Sequence, residues 1–173
     1  MTDRPHDPDA PDALGALAAA DAAGLRKTLL DVCASPAWAE AVAATRPWRD
    51  RRALLDAGAE ATAALSAADL REAMAGHARI GAPGAGDAAS EREQSRIREA
   101  DEALLAELAR ANAAYEAKFG HVFLICATGR TAAGVLAALR ERHAHDPATE
   151  TEIARGELRK INHLRITRLL DGS

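Results

Sequence analysis

Alanine is the feature that most restricts how this chain can fold. Roughly a quarter of the 173 residues are alanine, well above ordinary usage, while aromatic residues make up only 3%. Alanine has the highest helix propensity, and its small side chain lets helix axes approach closely. We therefore expect an all-α fold: a single compact domain of about eight helices over residues 11–173. Residues 1–10, rich in Asp and Pro, are expected to form a disordered tail.

The distribution of charged residues argues against two classes of partner, nucleic acids and membrane surfaces. The 22 basic and 26 acidic residues are interspersed and give a net charge of -4. No basic block indicates a nucleic-acid partner, and no basic amphipathic helix indicates a membrane surface. Cys33 and Cys126 have neither CxxC nor zinc spacing, so we expect two reduced core residues in a cytoplasmic protein and no metal site.

Helix boundaries are marked by capping residues and by Gly or Pro. Apolar spacing predicts helices over 12–19, 21–33, 50–64, 131–143 and 149–170. Ser35 followed by Pro36 predicts the start of another helix, and Ser66 that of a helix ending at Gly76. A further helical region is expected to begin at Ser90 and to continue along an apolar face to Gly120.

Two stretches do not fit the helical pattern. Residues 77–89 form a glycine-rich loop, and loops between helices are frequent binding sites. Residues 121–127, HVFLICA, have the apolar pattern of a strand, but no partner strand is evident elsewhere. Because a lone strand leaves its backbone polar groups unsatisfied, we interpret this run as a buried extended link or a helix start.

Three features of the sequence carry candidate chemistry. His77 could transfer protons near neutral pH, although on the residues alone a surface or C-cap histidine is the simpler explanation. Ser90 and Glu93 fit a Ser-x-x-Glu capping box, and Glu93 could instead contact a ligand at the helix N-terminus. Arg165 interrupts the stripe of Leu158, Ile161 and Leu169, either as a snorkelling side chain or as a guanidinium aimed inward at a carboxylate or a carbonyl.

Taken together, these motifs resemble a known family. The matching stretches are HARIG at 77–81, SEREQ at 90–94, NAAYEAKFGHVFLICATGR at 112–130 and ELRKINHLR at 157–165. In this order they are similar to the 2-oxo-4-hydroxy-4-carboxy-5-ureidoimidazoline (OHCU) decarboxylases of urate degradation. The family usually has proline directly after the histidine, whereas this chain has Ala78, so the stiffness that proline gives the loop is missing.

The resemblance implies an all-α enzyme without metal or organic cofactor, often a homodimer, acting on a small molecule. It implies that His77, Glu93 and Arg165 are catalytic. The substrate-binding residues it implies are Ala78, Ser90, Glu91, Arg92, Glu93, Gln94, Phe123, Leu124, Ile125, Cys126, Ala127 and Arg165.

Two alternatives remain open on the sequence alone. The chain could be a non-catalytic helical interaction module that keeps the scaffold, or a lyase or hydrolase acting on a related ureide. Convergence of His77, Glu93, Gln94 and Arg165 on one pocket would favour an enzyme, and scattered side chains would favour the module. The sequence does not separate the two enzymatic alternatives from each other.

Overall fold

The computed structural model of the protein describes residues 12–81, 88–94, 97 and 100–172, without the side chains of Ala88, Ser90 and Glu91. These residues form helices and no strand, as predicted. The helices are α1 (Ala13–Ala19), α2 (Ala22–Val32), α3 (Pro36–Ala44), α4 (Arg51–Ala63), α5 (Ala67–Ala75), α6 (Ala88–Glu93), α7 (Glu102–Phe119), α8 (Ala132–His143) and α9 (Pro147–Asp171). The predicted tail at residues 1–10 lies outside the described residues.

Most helices begin at a side chain that accepts a hydrogen bond from a backbone N–H of the first turn. This arrangement satisfies one of the donors that a helix start leaves unpaired. Ser35 and Ser66 have this role, as predicted from the sequence. The other residues that cap in this way are Asp21, Asp50, Asp101, Thr131 and Asp146.

Two helix boundaries differ from the prediction. The expected continuous helical region from Ser90 to Gly120 is wrong, because α6 ends at Glu93 and α7 begins only after Asp101. The Asp101 carboxylate accepts the N–H of Leu104 at 2.8 Å and so starts a new helix. The last helix begins two residues earlier than predicted, with Pro147 in its first turn and Asp146 as its cap.

Two hydrophobic clusters form the interior. The first core joins α1–α5 with α9 and is centred on Trp38, Leu54 and Leu158, which are fully buried. The second core joins α7 and α8 around Leu108 and Tyr115. Residues 121–127 lie between the two cores, so the segment that the helical pattern could not explain is the one that connects them.

Close packing of α3, α4 and α9 fixes the first core. The indole Nε1 of Trp38 donates to Gly58 O and to Thr62 Oγ1, each at 3.0 Å, and Asn162 Nδ2 donates to Thr62 Oγ1 at 3.1 Å. A Cβ added at Gly58 would lie 2.7 Å from Ile166 Cδ1. Gly58 therefore allows α4 and α9 to approach closely, and α9 is held where its inner face meets α2 and α6.

Candidate active site

A buried ion pair joins α6 to α9. Arg165 donates from Nε to Glu93 Oε1 at 3.0 Å and from Nη2 to Glu93 Oε2 at 3.3 Å. The two side chains are 6% and 8% exposed. Two parallel hydrogen bonds of this kind fix the distance between the guanidinium and the carboxylate, and they also fix the plane of the carboxylate. Of the two partners that the sequence left open for an inward guanidinium at Arg165, a carboxylate or a carbonyl, this pair is with a carboxylate.

The position of Arg165 follows from the apolar stripe of α9. Leu158 and Ile161 precede it by about two turns and one turn, and both are buried. The same stripe turns the arginine inward, where Nη1 donates to Val32 O at 3.2 Å. Arg168, one turn further on, donates from Nη1 to Glu93 Oε1 at 3.3 Å. Glu93 is therefore held by two guanidinium groups of one helix.

The loop that follows α5 is fixed by side-chain amides. Gln94 Oε1 accepts the N–H of Gly81 at 2.9 Å, and Gln94 Nε2 lies 3.5 Å from Ala78 O. Asn112 Nδ2 donates to Ile80 O at 3.0 Å. Gly81 has a φ of 80°, a conformation that glycine adopts without strain. These bonds restrain the loop at the point where the expected proline is absent.

His77 begins this loop directly after α5. Its N–H donates to Met74 O at 3.0 Å, and the residue is only 9% exposed. Gln94 thus brings the residues that follow His77 next to the end of α6, where Glu93 meets Arg165. The structure thus places Glu93, Gln94 and Arg165 together beside the loop that His77 begins.

The segment of residues 121–127 is extended and buried on both sides. Phe123, Ile125 and Ala127 pack into the second core, whereas Leu124 packs into the first. Successive side chains of an extended chain point to opposite sides, which explains the alternation. The interpretation as a buried extended link therefore agrees with the structure.

Side chains from three places bind the backbone of this segment. Arg142 Nη1 donates to Leu124 O at 2.7 Å, and Glu157 Oε2 accepts the N–H of Cys126 at 2.8 Å. Arg130 Nε donates to Cys126 O at 3.1 Å. Among the described residues, the N–H group of Cys126 has an acceptor, whereas those of Phe123, Leu124, Ile125 and Ala127 have none. Buried donors of this kind are the groups that a ligand can satisfy.

The family model described as OHCU decarboxylase matches residues 18–167. This match covers most of the chain and includes both sides of the Glu93–Arg165 pair.

The chain belongs to the OHCU decarboxylase family.

Relatives of this family share the fold and parts of the sequence. A crystal structure of OHCU decarboxylase in the presence of (S)-allantoin is 31% identical, with a TM-score of 0.73 over 82% of this chain and 96% of that chain. A structure of (S)-allantoin synthase, 20% identical, has a TM-score of 0.70 over 90% of this chain and 53% of that chain, and supports the fold. The family resemblance, the all-α fold and the assignment as a carboxy-lyase are confirmed.

A curated relative matches a shorter region. The uric acid degradation bifunctional protein TTL of Arabidopsis thaliana is 51% identical over 65 residues. The matched region is 38% of this chain and 20% of that protein, so this chain corresponds to a small part of the relative.

The two thiols of this OHCU decarboxylase family member are poor nucleophiles. Burial raises the pKa of Cys33 to about 11. Burial, the Glu157 carboxylate and, less strongly, the Glu93 carboxylate also raise the pKa of Cys126. A thiol must lose its proton to act as a nucleophile, so the raised pKa values argue against a nucleophilic role for either cysteine. Among the described residues, no group of His, Cys, Asp and Glu side chains could hold a metal ion.

The first helical turn of SEREQ differs from the capping-box prediction. Ser90 lies inside α6, which begins at Ala88, so Ser90 is not the N-cap residue. The side chains of Ser90 and Glu91, both predicted to bind substrate, lie outside the described residues. Arg92 is exposed and lines a cavity of about 190 Å³ together with Arg165 and Arg168.

Sequence reasoning missed two residues that act on this site. Arg168 lies three residues after Arg165, and helical spacing alone could have placed it on the same face. Glu157 belongs to a matched motif, but nothing in the sequence indicated that its carboxylate binds the backbone of Cys126. Contacts between elements 31 residues apart depend on the tertiary fold, which local patterns do not contain.

Proposed function

We propose that this protein catalyses the cofactor-independent decarboxylation of OHCU to (S)-allantoin in urate degradation. The observation that supports this most directly is the buried bidentate pair of Glu93 and Arg165 beside the loop of His77, in a chain of the OHCU decarboxylase family. The related structure solved with (S)-allantoin adds support, because it covers most of this chain.

The chemistry of the substrate requires little from the protein. OHCU has a carboxylate on a ring carbon flanked by electron-accepting groups. When the bond to the carboxylate breaks, CO2 leaves and the electron pair remains on the ring carbon, where the ring delocalises it. The protein must orient the carboxylate out of the ring plane and stabilise the developing negative charge. It must then deliver one proton to one face of the ring carbon.

We assign these tasks to the residues that meet at the site. Arg165 binds an anionic or carbonyl oxygen of the substrate through the guanidinium whose plane Glu93 fixes. His77 assists the decarboxylation or gives the proton to the ring carbon, and Glu93 orients it. Proton delivery from one side yields (S)-allantoin rather than the racemate.

Further predicted contacts complete the substrate pocket. Gln94, Ala78 and the first turn of α6, including Ser90, Glu91 and Arg92, are assigned to the ureido group and the ring. The N–H groups of Phe123, Leu124, Ile125 and Ala127 are donors that the segment of residues 123–127 can offer to substrate oxygens. Burial of these donors makes a hydrogen bond from them stronger than it would be in water.

The assembly and location of the enzyme are part of this proposal. We infer that residues 11–173 act as one domain, that two copies form a homodimer, and that the enzyme works in the cytoplasm. No described helix is long and apolar enough to cross a membrane. Sedimentation velocity on the full chain tests the homodimer, and a monomer at micromolar concentration would contradict it.

A coupled reaction tests the proposed activity. Urate oxidase and hydroxyisourate hydrolase generate the unstable substrate, and circular dichroism follows the appearance of (S)-allantoin. We expect the protein to form (S)-allantoin well above the rate of spontaneous decay, which gives the racemate. Decay at the spontaneous rate with a racemic product would contradict the proposal. Turnover of another ureide in its place would identify the alternative lyase or hydrolase.

A further inference from the structure

Arg142 lies where the second core meets the pocket segment of residues 123–127. Its side chain, at the C-terminal end of α8, is 8% exposed. Nη1 donates to Leu124 O at 2.7 Å, and the guanidinium carbon lies 4.5 Å from the centre of the Phe123 ring. Arg142 therefore contacts two successive residues of the segment, one through the backbone and one through the ring face.

Glu150 of α9 holds the other side of this guanidinium. Its side chain is fully buried, and Oε1 accepts from Arg142 Nε at 2.9 Å and from the Tyr115 hydroxyl. Oε2 lies 3.2 Å from His145 Nδ1. Burial opposes the charge, but the hydrogen bonds from Arg142 and Tyr115 outweigh it and lower the pKa of Glu150. The carboxylate is thus fixed by three different elements.

We propose that Arg142 is a positioning residue of the decarboxylase, which sets the pocket segment of residues 123–127 by binding Leu124 O and covering Phe123. Glu150 and Tyr115 fix the guanidinium that does this. The inference rests on the proposed function, because it takes the backbone of this segment as a wall of the substrate pocket. Arg142 acts through Leu124 and need not touch the substrate.

The geometry explains why arginine is required at this position. The planar fork binds Glu150 on one side and a backbone carbonyl on the other at the same time. A lysine ammonium keeps the charge but lacks this fixed shape. Displacement of a pocket wall by about 1 Å can lower a rate about 100-fold, because the reacting groups are no longer aligned.

Arg155 provides a matched control. Its side chain is also largely buried, with 18% of its surface exposed. Nη1 donates to Leu65 O at 2.8 Å and to Thr62 O at 3.2 Å. Its carbonyl partners belong to the last turn of α4 and to the connection between α4 and α5, not to the pocket segment. Loss of Arg155 therefore removes comparable backbone bonds without releasing residues 123–127.

The test compares Arg142→Gln and Arg142→Lys with Arg155→Gln and Arg155→Lys in the full chain. Each variant is assayed below its melting temperature, and enzyme concentration is corrected for the folded fraction. We expect Arg142→Gln to lower kcat by about 10- to 100-fold and Arg142→Lys to lower it less, from the loss of alignment. The Arg155 variants should stay within about twofold of wild type, as expected for a site remote from the chemistry.

A second readout reports on the segment itself. The N–H of Cys126 is hydrogen-bonded to Glu157, so its hydrogen exchange measures whether the segment is held. We expect faster exchange in the Arg142 variants only. Equal kcat and equal exchange in both sets of variants would overturn the proposal. If wild type fails to decarboxylate OHCU, the proposed function is wrong, while the exchange comparison still decides whether Arg142 positions the segment.

Discussion

At the scale of single residues, the pairing of Glu93 with Arg165 dominates the site. Both groups are buried, and a charge buried without its partner would be strongly destabilising. Arg168 adds a third group to the pair from the exposed side. In the proposed reaction, Glu93 aligns the donors that a substrate oxyanion would meet, which is the arrangement that electrostatic catalysis needs.

Replacement of Arg165 tests this role. We expect Arg165→Lys to lower kcat/KM about 100-fold, the usual loss when an aligned donor is removed from a developing charge. The control is Arg168→Lys on the same face of α9, which touches Glu93 through a single contact and should cost less than about 10-fold. Equal losses in the coupled assay would show that Arg165 has no special part in binding.

Ala78 gives a second prediction at this scale. Gln94 and Asn112 already hold the loop, so the proline usual in the family is not needed for its order. No hydrogen bond of the N–H of Ala78 is present among the described residues. We expect Ala78→Pro to fold, to keep its activity and to raise the free energy of unfolding by about 0.5–1 kcal/mol. Thermal melts and the coupled assay check this, and a loss of folding would contradict it.

Residue types and helical spacing predicted only part of this geometry. The inward position of Arg165 followed from its place in an apolar stripe. The identity of its partner could not be predicted in the same way, because Glu93 lies 72 residues earlier in the chain. The capping-box interpretation of Glu93 also depended on a helix start at Ser90 that proved wrong. The family resemblance added the grouping of these residues, which spacing alone could not give.

At the scale of elements, the extended segment between the two cores is the unusual feature. Helix boundaries were predictable because caps such as Ser35, Ser66 and Gly120 act locally. The break between α6 and α7 was not predictable, because the apolar pattern of the sequence continues past Asp101. The extended segment was recognised as an exception, but the charged side chains that bind its backbone come from α8 and α9 and left no local signal.

Glu157 gives the prediction for this segment. Burial raises the pKa of its carboxyl, but the bonds from Lys160 and from the N–H of Cys126 outweigh this and hold it below its ordinary value of 4.5. Because the folded-state pKa is lowered, the stabilisation is present above about pH 4.5 and is lost as the pH falls through the folded-state value.

The corresponding experiment is a series of thermal melts between pH 3 and 7. Glu157→Gln keeps an oxygen for the N–H of Cys126 but loses the charge that pairs with Lys160. We expect it to be less stable than wild type by about 1–2 kcal/mol at pH 7, with the difference shrinking toward pH 3. Glu152→Gln, an exposed pair on the same helix, is the control. A difference that is independent of pH would contradict the account.

At the scale of the whole molecule, α9 organises both the first core and the site. Its inner face contributes Leu158 and Ile161 to the core and Arg165 to the ion pair. Any change in the distance between α4 and α9 should therefore reach the site as well as the core. The composition predicted close packing in general terms, because an alanine-rich chain lets helices approach one another. It did not predict the residue at which α4 and α9 approach most closely.

Gly58 is the residue that allows α4 and α9 to approach closely, and its replacement tests this packing. Gly58→Val would drive a side chain into Ile166 and Trp38, so we expect a loss of about 1–3 kcal/mol from overpacking. Gly156, where an added Cβ meets nothing within 4 Å, is the control and should tolerate alanine. Urea denaturation measures both, and an unchanged midpoint for Gly58→Val would contradict the packing described.

The central claim is that His77 works with Glu93 and Arg165 to decarboxylate OHCU on one face. The most direct measurement compares wild type, His77→Asn and His163→Asn in the coupled circular dichroism assay, where His163 is an exposed histidine of α9 to which no step of the proposed reaction is assigned. The account predicts (S)-allantoin from wild type and His163→Asn, and a rate lower by at least about 100-fold in His77→Asn, the typical contribution of proton transfer. Full turnover to (S)-allantoin by His77→Asn would contradict it.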